Sequence, residues 1–120
     1  MPIGRIIFAL LAGLLLTPAG AAAHAILLQS RPPAGGSVPS GSIDMTFRYN
    51  SRIDRERSRL TLTRPDHSQV VLKIEPSGPP DTLQSTVALP TSGAYVVRWQ
   101  VLAIDGHITR GDVAFTVTDH

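Results

Sequence analysis

The sequence predicts an all-β fold, a small antiparallel two-sheet sandwich preceded by a leader that is removed. Three observations carry this prediction. Apolar residues alternate with polar ones along Ile43-Met45-Phe47-Tyr49, Tyr95-Val97-Trp99-Val101 and Val113-Phe115-Val117, the period that turns every second side chain of a strand toward one buried face. Pro- and Gly-rich stretches around Ser30 to Ser37, Glu75 to Asp81 and Pro90 to Gly93 break the chain at short intervals and supply turns. No stretch beyond the leader sustains a helical period. About seven short strands at such spacing fit a sandwich. The 120-residue chain shows no internal repeat, and the portion beyond the leader has the length of one small domain.

Taken in order, the chain opens with Arg5, the apolar run Ile6 to Leu16, Pro18 and then small residues ending in Ala21-Ala22-Ala23. This is the order of a secretory signal, with Ala21 and Ala23 as the small pair before the cut. The expected division is residues 1–23 as signal peptide and residues 24–120 as the domain. A retained anchor is the competing reading, but the run is shorter than the roughly 20 apolar residues that span a bilayer. The position of the cut matters: after Ala21 it leaves His24 inside the chain, and after Ala25 it deletes it. No second long apolar stretch occurs. The mature chain is therefore expected to be soluble and extracytoplasmic, with no membrane insertion.

Ala25 to Gln29 is the first strand expected, followed by loop through Gly41. The alternation from Ile43 to Tyr49 gives the second, and the charged residues from Ser51 to Ser58 are expected to turn. Leu60 and Leu62 face inward on the next strand. Pro65-Asp66-His67-Ser68 has the chemistry to close a hairpin, with Val70, Leu72 and Ile74 on the return. Leu83 to Leu89 comes next, with Val87 and Leu89 on one face. Tyr95, Val97, Trp99 and Val101 mark the strongest strand, and Val113, Phe115 and Val117 the last.

Composition narrows the chemistry. There is no cysteine, which removes disulfides and thiolate metal sites. Eleven bases against nine acids leave a formal charge of +2. Such a balance lacks the clustered bases and interleaved aromatics of a nucleic-acid binder, so no nucleic-acid partner is expected. Arg52, Arg55, Arg57, Arg59 and Arg64 are interrupted by Asp54 and Glu56 and fit a solvated surface.

Two segments stand out. A cut after Ala23 makes His24 the first residue, so its α-amine and imidazole can chelate one metal ion. The amine has a reference pKa of roughly 7.7, and a metal can displace its proton near neutral pH. The second segment is Asp105-Gly106-His107, in which a glycine lets a carboxylate and an imidazole two residues apart reach one point. His24, Asp105 and His107 then make a set of three nitrogens and one oxygen. Such a set suits tetragonal Cu(II), and it can also hold Zn(II). Thr109 and Arg110 lie close enough in sequence to orient those ligands. His67 belongs to a turn, His120 ends the chain, and Trp99 sits on the best apolar face.

The segments His24-Ala25, Ser30-Arg31-Pro32-Pro33-Ala34-Gly35-Gly36, Gly93-Ala94-Tyr95-Val96-Val97-Arg98-Trp99 and, above all, Asp105-Gly106-His107-Ile108-Thr109-Arg110-Gly111 resemble the CopC family of periplasmic copper-binding proteins. The resemblance covers nearly all of residues 24–120. It implies a Greek-key β-sandwich of the immunoglobulin/cupredoxin-like kind. It also implies that His24, Asp105 and His107 bind one Cu(II) per chain. The function implied is copper carriage in homeostasis, resistance or uptake, in the periplasm and without catalysis. A monomer is expected, and the family suggests an inner-membrane copper transporter as partner. Two departures stand beside these likenesses. Some relatives carry a methionine-rich loop for Cu(I), whereas Met45 is the only methionine here after the leader. Some have an acid near the position of Tyr49. Two other functions remain open at this level: a copper-dependent oxidative enzyme built on an N-terminal histidine, and a metal-free secreted interaction domain.

Overall fold

A computed structural model describes residues 25–119. The predicted leader, its cleavage junction, His24 and His120 lie outside the described residues. Eight strands form: β1 (Leu27–Arg31), β2 (Ser37–Pro39), β3 (Gly41–Tyr49), β4 (Ile53–Thr63), β5 (Gln69–Val71), β6 (Thr82–Leu89), β7 (Gly93–Ala103) and β8 (Ile108–Thr118). They make a three-stranded sheet in the order β1-β3-β6 and a five-stranded sheet in the order β2-β8-β7-β4-β5. Among the described elements only β4–β5 and β7–β8 succeed each other within one sheet. Every other connection crosses between the layers, so the two sheets are stitched repeatedly along the sequence.

The alternation expected of β3, β7 and β8 holds. Met45, Phe47 and Tyr49 are buried from one sheet, and Tyr95, Val97, Trp99, Val101, Val113, Phe115 and Val117 from the other. Leu60, Leu62, Leu83, Val87 and Leu89 complete the same core. Each large apolar side chain removed from water contributes roughly 1.5–3 kcal/mol, which is what holds two layers of short strands together. Tyr95 stacks on Phe115 at 5.6 Å between ring centroids. Its hydroxyl donates to the Thr91 carbonyl at 2.7 Å. This tyrosine corner fixes the turn into β7 as such corners do in other sandwiches.

Four features differ from the sequence expectation. The return strand after the His67 turn is short: β5 ends at Val71, and Leu72 and Ile74 lie beyond it, partly buried against the core. The Pro/Gly-rich stretch after the first strand contains β2, which pairs in parallel with the end of β8 from Ser37↔Thr116 to Pro39↔Thr118. β2 is an edge strand, where the missing N–H of Pro39 breaks no central ladder. The first strand sits two residues later than expected, at Leu27–Arg31, with Ala25 and Ile26 leading into it. Residues from Ile53 to Ser58 belong to β4 rather than to a turn, and the β4–β7 register shifts between Asp54 and Arg59. That irregularity is closed locally. The Asp54 carboxylate accepts from the Arg57 amide at 3.2 Å and from its guanidinium at 2.7 Å. Ser58 Oγ donates to the Asp54 carbonyl at 2.6 Å. The Arg57 hydrogen bond also holds the Asp54 carboxyl below its ordinary range. Alternating charge therefore marked a bulged strand, a pattern that does not separate a bulge from a turn by composition.

Candidate metal centre

The connection between β7 and β8 brings two of the three predicted ligands together. The Ala103 amide donates to the His107 carbonyl at 2.8 Å and the Gly106 amide to the Ala103 carbonyl at 2.9 Å. Ile104, Asp105 and Gly106 thus form a short hairpin loop. Gly106 has φ +92°, the left-handed position that such loops assign to glycine. Within this frame Asp105 Oδ1 accepts from the His107 amide at 3.0 Å. Asp105 Oδ2 lies 3.1 Å from His107 Nδ1. In a neutral imidazole with that contact, Nδ1–H donates to the carboxylate and Nε2 becomes the basic nitrogen, the arrangement in which a carboxylate orients a metal-binding histidine. Both side chains are open to an incoming ion, His107 at 56% exposure and Asp105 at 35%.

The same end of the sandwich receives the start of the described chain. Ala25 is buried, and its carbonyl accepts from Thr109 Oγ1 at 3.0 Å. The Ile26 amide donates to Asn50 Oδ1 at 2.8 Å. The Asn50 amide donates to the Ile26 carbonyl at 3.0 Å. The residue next to His24 in sequence is therefore joined to β8 two positions beyond His107. Among the described residues no cluster of three or more His, Cys, Asp or Glu that could hold a metal is found. His24, the third predicted ligand, lies outside them.

The remaining candidates separate. His67 is an exposed turn residue at φ +69°, its amide donating to the Arg64 carbonyl at 2.9 Å. It comes after Thr63, which pairs with Val96, whereas Ala103 at the other end of β7 pairs with Ile53. His67 is thus at the opposite end of the sheet from His107. Arg110 is exposed, and its Nε donates to Gln100 Oε1 at 2.7 Å rather than to Asp105 or His107. Thr109 acts on the chain start instead. Trp99 is buried as expected, with Tyr49 edge-on at 5.3 Å and 67°. The Tyr49 hydroxyl is buried without a hydrogen-bond partner among the described residues, and burial pushes its pKa up. Asn50 carried no signal in the sequence, because a single asparagine at the end of an alternating strand has the look of an ordinary turn residue.

The comparisons with known proteins agree with this architecture. Residues 27–118 match the CopC domain. The protein YobA of Escherichia coli K12 is 29% identical over 116 residues, spanning 94% of this chain and 93% of the relative. The solved structure of CopC from Methylosinus trichosporium OB3b superposes with a TM-score of 0.68 at 26% identity, over 78% of this chain and 93% of that one. PcoC, a methionine-rich copper resistance protein from Escherichia coli, shares the fold with a TM-score of 0.62 at 24% identity, over 80% of this chain and 100% of its own. With a match running from the first residue of β1 to the last of β8, the chain belongs to the CopC family.

Proposed function

We propose that this chain is a periplasmic carrier of Cu(II), one ion per chain, serving copper homeostasis, resistance or uptake rather than catalysis. The observation that carries the reading is the 3.0 Å bond from the Thr109 hydroxyl to the Ala25 carbonyl. It joins the residue after His24 to the hairpin that presents Asp105 and His107. If residues 1–23 are a signal peptide cut after Ala23, the amine and imidazole of His24 start one residue from that bond. Three nitrogens and a carboxylate then match the tetragonal preference of Cu(II). Copper is favoured over zinc because family neighbours such as PcoC are copper resistance proteins. Binding requires the amine and both imidazoles unprotonated, so affinity falls as pH drops.

Several observations favour carriage of Cu(II) over other copper chemistry. Met45 is fully buried in the core and cannot serve a soft Cu(I) site at the surface. Every aromatic side chain among the described residues is buried, which leaves no platform there for stacking on a sugar substrate. On this reading the mature chain is a monomer that passes its ion to an inner-membrane copper transporter.

The test is electron paramagnetic resonance of one equivalent of Cu(II) added to secreted protein whose first residue has been identified by mass spectrometry. A single tetragonal signal with nitrogen hyperfine structure, lost in His107→Ala, is expected. An aquo-copper signal from protein beginning at His24 would overturn the reading and leave a metal-free interaction domain.

A further inference from the structure

A metal held partly by a chain terminus needs that terminus fixed, because termini fray unless they are tied down. The β1–β3 ladder alone is poorly suited to the task, since its register shifts between Leu27 and Gln29. We propose that Asn50 and Thr109 are positioning residues for the metal centre, which clamp the backbone just after His24 so that its amine and imidazole meet Asp105 and His107. The proposal rests on the Cu(II) reading above and adds two residues that are not themselves ligands.

The clamp has three hydrogen bonds and a buried methyl group. Asn50 engages both backbone groups of Ile26, accepting from its amide at 2.8 Å through Oδ1 and donating to its carbonyl at 3.0 Å through the Asn50 backbone amide. These bonds add a rung beyond Leu27↔Tyr49, the first pair of the ladder. Thr109 holds the Ala25 carbonyl at 3.0 Å from the opposite sheet. The Ala25 side chain, 2% exposed, is packed into the core between the two. Two consecutive residues are thereby fixed from both layers of the sandwich. The hydroxyl that fixes the first of them stands on the strand that starts directly after His107.

This arrangement measures chain length. A cut after Ala23 leaves one residue ahead of the clamp, and that residue is His24. A cut two residues earlier leaves the amine on Ala22, displaced by two residues from the same anchor. The clamp therefore selects which processed form can bind metal, independently of the ligands' identity.

The experiment uses the mature chain beginning at His24, with Asn50→Ala, Thr109→Val and the double variant, and with Asn50→Asp and Thr109→Ser as conservative controls. Cu(II) affinity is measured by competition with a chromophoric chelator. In the metal-free protein, hydrogen exchange at the Ile26 amide and the thermal midpoint are followed. The double variant is expected to bind Cu(II) about 10- to 100-fold more weakly, the range for residues that orient ligands without touching the metal. Faster exchange at Ile26 and an altered copper spectrum should accompany the loss. Asn50→Asp keeps the acceptor and Thr109→Ser keeps the hydroxyl, so both should restore binding to near the parent value. If the double variant does not fold, Asn50→Ala at its exposed position is read alone against Asn50→Asp. Parent-like affinity and spectrum in a folded clamp variant, with His107→Ala losing copper, would overturn the clamp and leave the ligands standing. Parent-like binding in His107→Ala as well would overturn the ligand assignment and the clamp with it.

Discussion

Trp99 and Gly111 face each other across the β7–β8 ladder, and the indole occupies the space a side chain at position 111 would need. A Cβ placed on Gly111 would come within 2.9 Å of the indole Nε1 and closer still to Cε2 and Cζ2. Those are atoms of a buried ring, itself packed edge-on by Tyr49, so they cannot swing aside as the end of a flexible chain would. The glycine is required here by close approach rather than by backbone conformation. Gly111→Ala should therefore cost about 1–3 kcal/mol, the usual range for overpacking a filled site. Urea denaturation followed by Trp99 fluorescence measures both the loss and the displacement of the ring. An unchanged midpoint and emission maximum would show that the indole has room the packing denies. The same small region holds the buried Tyr49 hydroxyl, which has no hydrogen-bond partner among the described residues, so the ring of Tyr49 is held there by packing against Trp99.

The β7–β8 hairpin shows how an element turns local sequence into a site. Ile104-Asp105-Gly106 closes the two longest-paired strands of the five-stranded sheet, and the left-handed Gly106 lets Asp105 fold back on His107. An alanine at φ +92° has open space around its Cβ but carries the backbone penalty of that region, about 1–2 kcal/mol. Gly106→Ala is expected to lower the thermal midpoint of the metal-free chain and to weaken Cu(II) binding as the Asp105–His107 contact opens. Asparagine at the same position, which tolerates left-handed backbone, should do less harm on both counts. Equal loss from alanine and asparagine would refute a backbone cause. The contact of Asp105 with His107 was legible in the sequence because the two residues lie only two apart and the glycine between them marks the turn. β3, β7 and β8 were legible because one buried face gives a clean period of two. β2 was not, because its ladder partner in β8 lies about 80 residues away and the strand itself is written in Ser, Val and Pro. Asn50 and its hold on Ile26 were hidden for the same reason: a contact over 24 residues leaves no local trace.

At the scale of the molecule, the proposed copper site lies where the two layers of the sandwich meet. β1 belongs to the three-stranded sheet and pairs there only with β3, while Asp105 and His107 hang from β7 and β8 of the other sheet. A metal shared by His24, Asp105 and His107 would link the start of one layer to a hairpin of the other, beside the Thr109–Ala25 bond that already crosses there. Such a link can form only in the folded chain, since unfolding separates the N-terminus from residues 105 and 107. Binding to the folded state alone stabilises it by about 2.7 kcal/mol when free ligand is 100-fold above its dissociation constant. For a domain of this size that corresponds to a rise in thermal midpoint on the order of 10 °C. The rise is expected for protein beginning at His24 and should be reversed by EDTA. One added residue ahead of His24 moves the amine away from the anchored Ala25 while leaving both imidazoles and the carboxylate in the chain. Thermal scans of the two forms with equal Cu(II) therefore isolate the terminus: a large shift in the first and a small one in the second is the expected result. Equal shifts would mean that copper, where it binds, does so through internal side chains, and that the cut after Ala23 plays no part in making the site.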